Sequence, residues 1–288
     1  MNTTPILGVI GGSGLYEYPG LVNTSEYDVN TPFGKPSAPI MIGELEGRKV
    51  AFLARHGIGH TFNPTEVNYR ANIYALKSLG IRRIISISAC GSLREDFSPG
   101  DIVIPNQLVD FTRNRQRSFF GEGIVAHVGV ADPFCQQTSE LLLRSFTNIP
   151  VVVHKGGTYI AIEGPRFSTK AESHLYRSWG MSIIGMTACP EAFLAREAEM
   201  CYATMAHVTD YDVWHVNEQP VTVEMVINTL KKNTSNAQNA IRELVKSLPE
   251  TYTCSCHAAL KDAVMTQPNM INANAKAKTA LFFDESRT

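Results

Sequence analysis

Eight short apolar runs divide this chain, and helical patterns fall between many of them. The runs are PILGVIGG, PIMIGEL, KVAFLARHG, RIISISACG, DIVIPNQLVDF, VVVHKGGTYIAIEGP, MSIIGM and CYATMAHVT. None approaches the roughly 20 apolar residues of a membrane span; each has the length and content of a covered strand. Between them, residues 64–80 place Val67, Ala71, Tyr74 and Leu79 near helical spacing and stop at Gly80. Thr222 reads as an N-cap, with Val223, Val226, Ile227 and Leu230 at helical spacing behind it and Ala237, Ile241 and Leu244 continuing the face. This alternation predicts an α/β fold whose central sheet is mostly parallel, mostly covered and flanked by helices. No linker or composition break comes before about residue 265, so one domain is expected over 1–265. The polar, aperiodic stretch 266–288 is expected to be a mobile tail.

Charge and composition narrow the function. A formal net charge of −1 lacks the basic footprint of a nucleic-acid binder. The N-terminal MNTTPILGVIGGSG has no basic segment, so neither a signal peptide nor a membrane partner is expected, and a cytoplasmic location is. Of six cysteines, Cys90, Cys135, Cys189 and Cys201 lie in or beside apolar segments and read as reduced, buried residues. Cys254 and Cys256 are polar-flanked and one residue apart. Zinc would want a second ligand pair at a suitable spacing, and none is evident, so ordinary thiols and no metal are expected.

In such sheets ligands bind outside the carboxyl ends of the strands, which directs attention to the residue after each run. GVIGGSG (8–14) offers turns, close backbone approach and the Ser13 hydroxyl. It is not a dinucleotide fingerprint, because Glu17 stands where the last glycine belongs, and it lacks the G-K-[ST] of a P-loop. Arg55 and His56 end the third run, a fork and a donor suited to phosphate or carboxylate, although a surface ion pair would read the same way. Ser88, Ala89, Cys90 and Gly91 end the fourth, small enough for backbone amides to face a ligand. Three anion-friendly strand ends in one sheet favour a phosphate site. Further along stand Glu163, Arg166, Phe167 and Ser168, where Phe167 suits either a flat base or the core. Met186 and Thr187 then precede a helix opened by Pro190 and Glu191. Last comes AHVTDYDVWH (206–215), with two carboxylates at the end of a buried strand, a costly place unless something pairs with them.

Together GVIGGSGLY, TPFGKPS, LARHG…H, NYRANIYALKSLG, ACGSLRED…PGDIVIP, ADPFC, IEGPRFST, SWG…GMT…PE…LAREAE and TDYDVW resemble the methylthioadenosine phosphorylases, in the trimeric branch of the purine nucleoside phosphorylase superfamily. The likeness runs in order over about residues 5–248 and loosens in the last forty. It implies a mixed central sheet and phosphorolysis of 5′-methylthioadenosine to adenine and 5-methylthioribose 1-phosphate, with phosphate as co-substrate and no cofactor. By similarity Ser13, Arg55, His56, Ser88, Ala89 and Thr187 would hold phosphate. Met186 would lie against the ribose, with Phe167 and Ser168 near the purine and Cys90 and Gly91 also in the substrate site. Asp210 and Asp212 look like the purine readers. A carboxylate accepts from adenine N6 and a protonated carboxyl donates to N7. Residues two apart in an extended segment face one way, and two close carboxylates raise one pKa toward neutrality.

A carboxylate would repel the O6 of a 6-oxopurine, which leaves methylthioinosine phosphorylases and other purine nucleoside phosphorylases as the nearest alternative. Val223 occupies the position at which relatives specific for a 5′-hydroxyl carry His. With Val226 and Ile227 it suits a methylthio group, unless these are simply core residues of an amphipathic helix. His127 matches a residue that reaches a neighbouring subunit's 5′ pocket, implying a homotrimer or a dimer of trimers. A nucleosidase would not need Arg55 and His56, and a non-catalytic nucleoside-binding protein would not need the carboxylate pair.

Overall fold

The apolar runs become the strands of one mixed sheet in the computed structural model, which describes residues 4–12, 18, 20–216 and 221–283. Strands β1 (Leu7–Gly11), β2 (Val22–Tyr27), β3 (Ile40–Leu45) and β4 (Arg48–Ala54) precede helix α1 (Tyr69–Ser78). Next come β5 (Arg83–Ser92), β6 (Ile102–Ile104), β7 (Gln107–Phe111) and helix α2 (Gln136–Arg144). They are followed by β8 (Val153–Lys155), β9 (Thr158–Ile162), α3 (Lys170–Ser178), β10 (Ile183–Gly185) and α4 (Ala188–Glu197). The long strand β11 (Cys201–Asp210), helix α5 (Val223–Ser247) and helix α6 (Ala273–Thr279) complete the order.

Along its main path the sheet runs β2-β3-β4-β1-β5-β10-β9-β7, with β11 beside β5 and β6, and β8 beside β6. β1 is parallel to both β4 and β5, and β11 is parallel to β5, so the carboxyl ends of these four strands share one edge. β10 is antiparallel to β5 and pairs Ile184 with Gly91, which carries the chain after it back past Ala89. Consecutive strand residues face opposite layers. Ala51 and Leu53 of β4 join the cluster under α1 and α4; Val50 and Phe52 join the one under α2 and α5. Burial on both faces is why these strands read as unbroken apolar runs.

Local chemistry sets the boundaries. Thr222 caps α5 by accepting from the Met225 amide, as its sequence predicts. Asn68 caps α1, so the helix expected from 64 starts at Tyr69, and it stops before Gly80, whose φ is +81°. The run DIVIPNQLVDF is two strands, because Pro105 has no amide for a ladder and β6 and β7 pair with different partners. VVVHKGGTYIAIEGP also splits, at Gly156 and Gly157, which have φ of +88° and +106°. β2 has no apolar signature, since all six of its residues are exposed.

The expectation of a mobile tail from residue 266 is corrected. Asn272 caps α6, and Phe282 behind it packs its ring 4.6 Å from Phe119 and 5.7 Å from Tyr74 in the cluster under α1. Polar composition concealed two buried side chains, Leu281 and Phe282, at the end of the segment. Residues 284–288 lie outside the described residues.

Candidate active site

The shared strand edge opens into a cavity of about 800 Å³. Its walls include Arg55 and His56 from the end of β4, Ser88, Ala89, Cys90 and Gly91 from β5, and Met186 and Thr187 beyond β10. Phe167 and Ser168, Asp210 and Asp212, and Val223, Val226 and Ile227 of α5 line it too. Ser13 lies outside the described residues. His127 is exposed and lines no part of this cavity, its backbone amide bonded to the Ala263 carbonyl. Glu163 and Arg166 are also elsewhere. Glu163 accepts from Thr65 Oγ1 and from the Asn114 amide, clamping two loops, while exposed Arg166 pairs with Glu172.

At one end sits Arg55, 1% exposed. Its Nε and one Nη2–H form a fork on Glu191 at 2.8 and 2.9 Å. Its other donors reach Ser86 Oγ at 2.6 Å and the Ile87 carbonyl at 3.0 Å. Burial works to lower the guanidinium pKa, but the Glu191 charge and hydrogen bonds outweigh it and raise it. Arg55 therefore reaches the cavity as half of a neutral buried pair rather than as a free fork. His56, the adjacent donor of the sequence reading, adds no positive charge here. Burial and the Arg55 charge hold it down to about 4, so it is neutral at physiological pH. Its Nδ1 lies 2.9 Å from the Phe62 carbonyl, which fixes the proton there and leaves Nε2 as an acceptor. Beside them the hydroxyls of Ser88 and Thr187 are buried with no hydrogen-bond partner among the described residues. A buried hydroxyl without a partner costs about 1–3 kcal/mol, which an oxyanion would recover.

The other end holds the carboxylates. β11 shifts register between Val208 and Asp210, and this bulge turns the strand end into the cavity. Asp210 accepts from Thr209 Oγ1 at 2.7 Å and from the Asp212 amide at 2.8 Å. The extended geometry expected for this pair is not what the chain adopts. Asp212 has φ +51°, and the bond from its amide to Asp210 Oδ1 closes a turn that still leaves both side chains on the cavity wall. Burial, with the Asp212 charge adding to it, pushes the Asp210 carboxyl up to about 6, and burial raises Asp212 as well. Gly91 makes room: a Cβ there would stand 2.8 Å from Asp210 Oδ1 and 3.2 Å from Asp212 Cβ. Trp214 anchors the turn by donating from Nε1 to the Ser92 carbonyl at 2.7 Å, with the Arg177 guanidinium over its ring.

Between the two ends run Met186, Val221, Val226 and Leu230, with Val223 and Ile227 half in solvent at the rim. Sequence reasoning missed two residues of note. Glu191 reads in the sequence as a helix-opening acid, yet it is fully buried and also accepts from Tyr202 Oη at 2.8 Å; an acid within the apolar stretch CPEAFLA is the available signal. His207 sat unremarked inside an apolar run; it lines the cavity, held down to about 4 by burial.

A sheet of this order with its site at the strand edge is the architecture of a known class, and the family model of the phosphorylase superfamily matches residues 6–246: the chain belongs to that superfamily. Among its relatives, the S-methyl-5′-thioadenosine phosphorylase of Koribacter versatilis is 53% identical over 275 residues, covering 96% of this chain and 94% of its own. A methylthioadenosine phosphorylase sourced from an Antarctic soil metagenomic library superposes with a TM-score of 0.92 at 48% identity, over 98% of this chain and 99% of that one. The Schistosoma mansoni methylthioadenosine phosphorylase, solved in complex with adenine, gives 0.85 at 37% identity over 92% and 99%.

Proposed function

We propose that the chain catalyses reversible phosphorolysis of 5′-methylthioadenosine to adenine and 5-methylthioribose 1-phosphate. The observation that carries this reading is a single cavity with an anion-accepting end and a proton-holding end, joined by an apolar wall. Phosphate takes hydrogen bonds from Ser88 and Thr187, and His56 Nε2 accepts one from a protonated phosphate oxygen. Adenine faces Asp210 and Asp212, one carboxylate accepting from N6–H while the protonated partner donates to N7. Proton transfer to N7 lets the C1′–N9 bond break with its electron pair on the base, and a phosphate oxygen bonds to C1′. Positioned acid help of this kind contributes about 10²–10⁴-fold. The methylthio group lies on Val223, Val226 and Ile227, where a 5′-hydroxyl would lose its hydrogen bonds.

The relatives named for this reaction match nearly the full chain, and the Schistosoma enzyme was solved with adenine. Exposed His127 fits a role in a neighbouring subunit's pocket within a homotrimer. Six free cysteines suit a reducing, cytoplasmic setting. With phosphate present, kcat/KM is expected to rank methylthioadenosine above adenosine and above methylthioinosine. A lead for methylthioinosine would overturn the roles given to Asp210 and Asp212; a lead for adenosine would overturn that of Val223.

A further inference from the structure

We propose that Cys135, Cys201, Cys254 and Cys256 form a tetrathiolate site for one zinc-class divalent ion, remote from the catalytic cavity. The separation of these residues along the chain hid the second ligand pair that Cys254 and Cys256 lacked in the sequence. The fold supplies it. Cys135 is the N-cap of α2, Cys201 opens β11, and Cys254 and Cys256 come from the segment after α5. All four sulfurs lie within 4.8 Å of one another, and Cys135 Sγ is 3.7 Å from Cys254 Sγ. A tetrahedral ion with bonds of about 2.3 Å sets its sulfurs roughly 3.8 Å apart, so small side-chain shifts complete the geometry.

The surroundings fit an anionic sulfur cluster. Thr138 presents its hydroxyl 3.3 Å and its amide 3.5 Å from Cys135 Sγ. His257 Nε2 lies 3.5 Å from Cys201 Sγ, an outer hydrogen bond of the sort that orients metal thiolates. The positive charge of Arg83 acts on Cys135, Cys201 and Cys254, and that of Arg196 on Cys256, which offsets the two net negative charges of four thiolates on a divalent ion. Cys254 is half-buried and gives the ion a way in, while the other three are buried. None of the four lines the catalytic cavity. The ion would tie the segment after α5 to the start of β11 and to α2, contributing to stability rather than to chemistry. As it binds, the thiols release the protons they carry, so affinity rises with pH.

The test uses the full chain, purified reduced and without chelators. Elemental analysis is expected to find one zinc per chain, and exchange with Co(II) to give the sulfur-to-cobalt charge-transfer and visible bands of a tetrahedral tetrathiolate site. Cys254→Ser/Cys256→Ser should lose the ion and the cobalt spectrum and melt at lower temperature, with kcat/KM for methylthioadenosine unchanged. The cobalt spectrum of the unaltered chain decides the matter even if that variant fails to fold. Metal-free protein that takes up neither zinc nor cobalt, or mass spectrometry showing these cysteines joined as disulfides in the native chain, would overturn the site.

Discussion

Two buried carboxylates, Glu191 behind Arg55 at one end of the cavity and Asp210 on its wall at the other, are managed in opposite ways. Glu191 is fully buried, but it faces the Arg55 fork and the Tyr202 hydroxyl, so its charge is matched. Asp210 is 5% exposed and, among the described residues, has a hydroxyl and an amide for partners, with a second carboxylate nearby. The first arrangement holds the strand ends in place; the second stores a proton at some cost to stability. A buried acid with a cation reads as scaffold, and a buried acid without one reads as chemistry.

Asp210→Asn gives the largest break in that contrast. Adenine release is expected to fall by about 10²–10⁴-fold, with relative preference moving toward 6-oxopurine nucleosides. Side-by-side kcat/KM values for methylthioadenosine and methylthioinosine check it, and unchanged adenine selectivity would sink this account of base recognition. Glu191→Leu should act on the fold instead. Leaving Arg55 buried and unpaired costs about 3–5 kcal/mol. For a chain of this size that is a fall of roughly 10 °C in the melting temperature, read by calorimetry.

Asp210→Asn should at the same time stabilise. Raising a carboxyl from 3.8 to about 6 on folding corresponds to on the order of 3 kcal/mol. The sign follows from linkage: below pH 3.8 the group is protonated in both states and costs nothing. As pH rises from there to about 6, only the unfolded chain gives up its proton freely, so stability falls and then levels. Urea unfolding should therefore show the variant gaining on the parent across that window and keeping its lead at neutral pH. Equal midpoints at pH 4 and pH 7 would contradict the raised pKa. The smallest effect belongs to Thr187→Val, which keeps shape and removes a buried hydroxyl without a partner among the described residues. KM for phosphate is expected to rise about tenfold while the phosphate-free chain gains about 1–3 kcal/mol, as initial rates and a melting curve would show.

Much of the site was legible because strand ends are marked by a change from apolar to polar chemistry. Arg55, Thr187 and Asp210 each stand at such a change, while Ser88 lies inside β5, four residues before its end. What stayed hidden depended on approach across the fold. His56 reads as a donor to the ligand until its Nδ1–H is seen committed to the Phe62 carbonyl, and Arg55 reads as a free fork until Glu191 arrives from α4. The four cysteines come together from three separated segments, which no local spacing encodes. The fold was legible to the same depth. Strands covered on both faces carry the apolar signal, whereas exposed β2 carries none, and the polar segment around α6 masks the docking of Phe282.

The most direct test of the two-ended cavity is adenine release from 5′-methylthioadenosine with and without inorganic phosphate, with the sugar product identified by phosphorus NMR. The account predicts release that depends on phosphate and yields 5-methylthioribose 1-phosphate. Release at an equal rate without phosphate, giving free methylthioribose, would contradict it and leave the Arg55, Ser88 and Thr187 end without its assigned role.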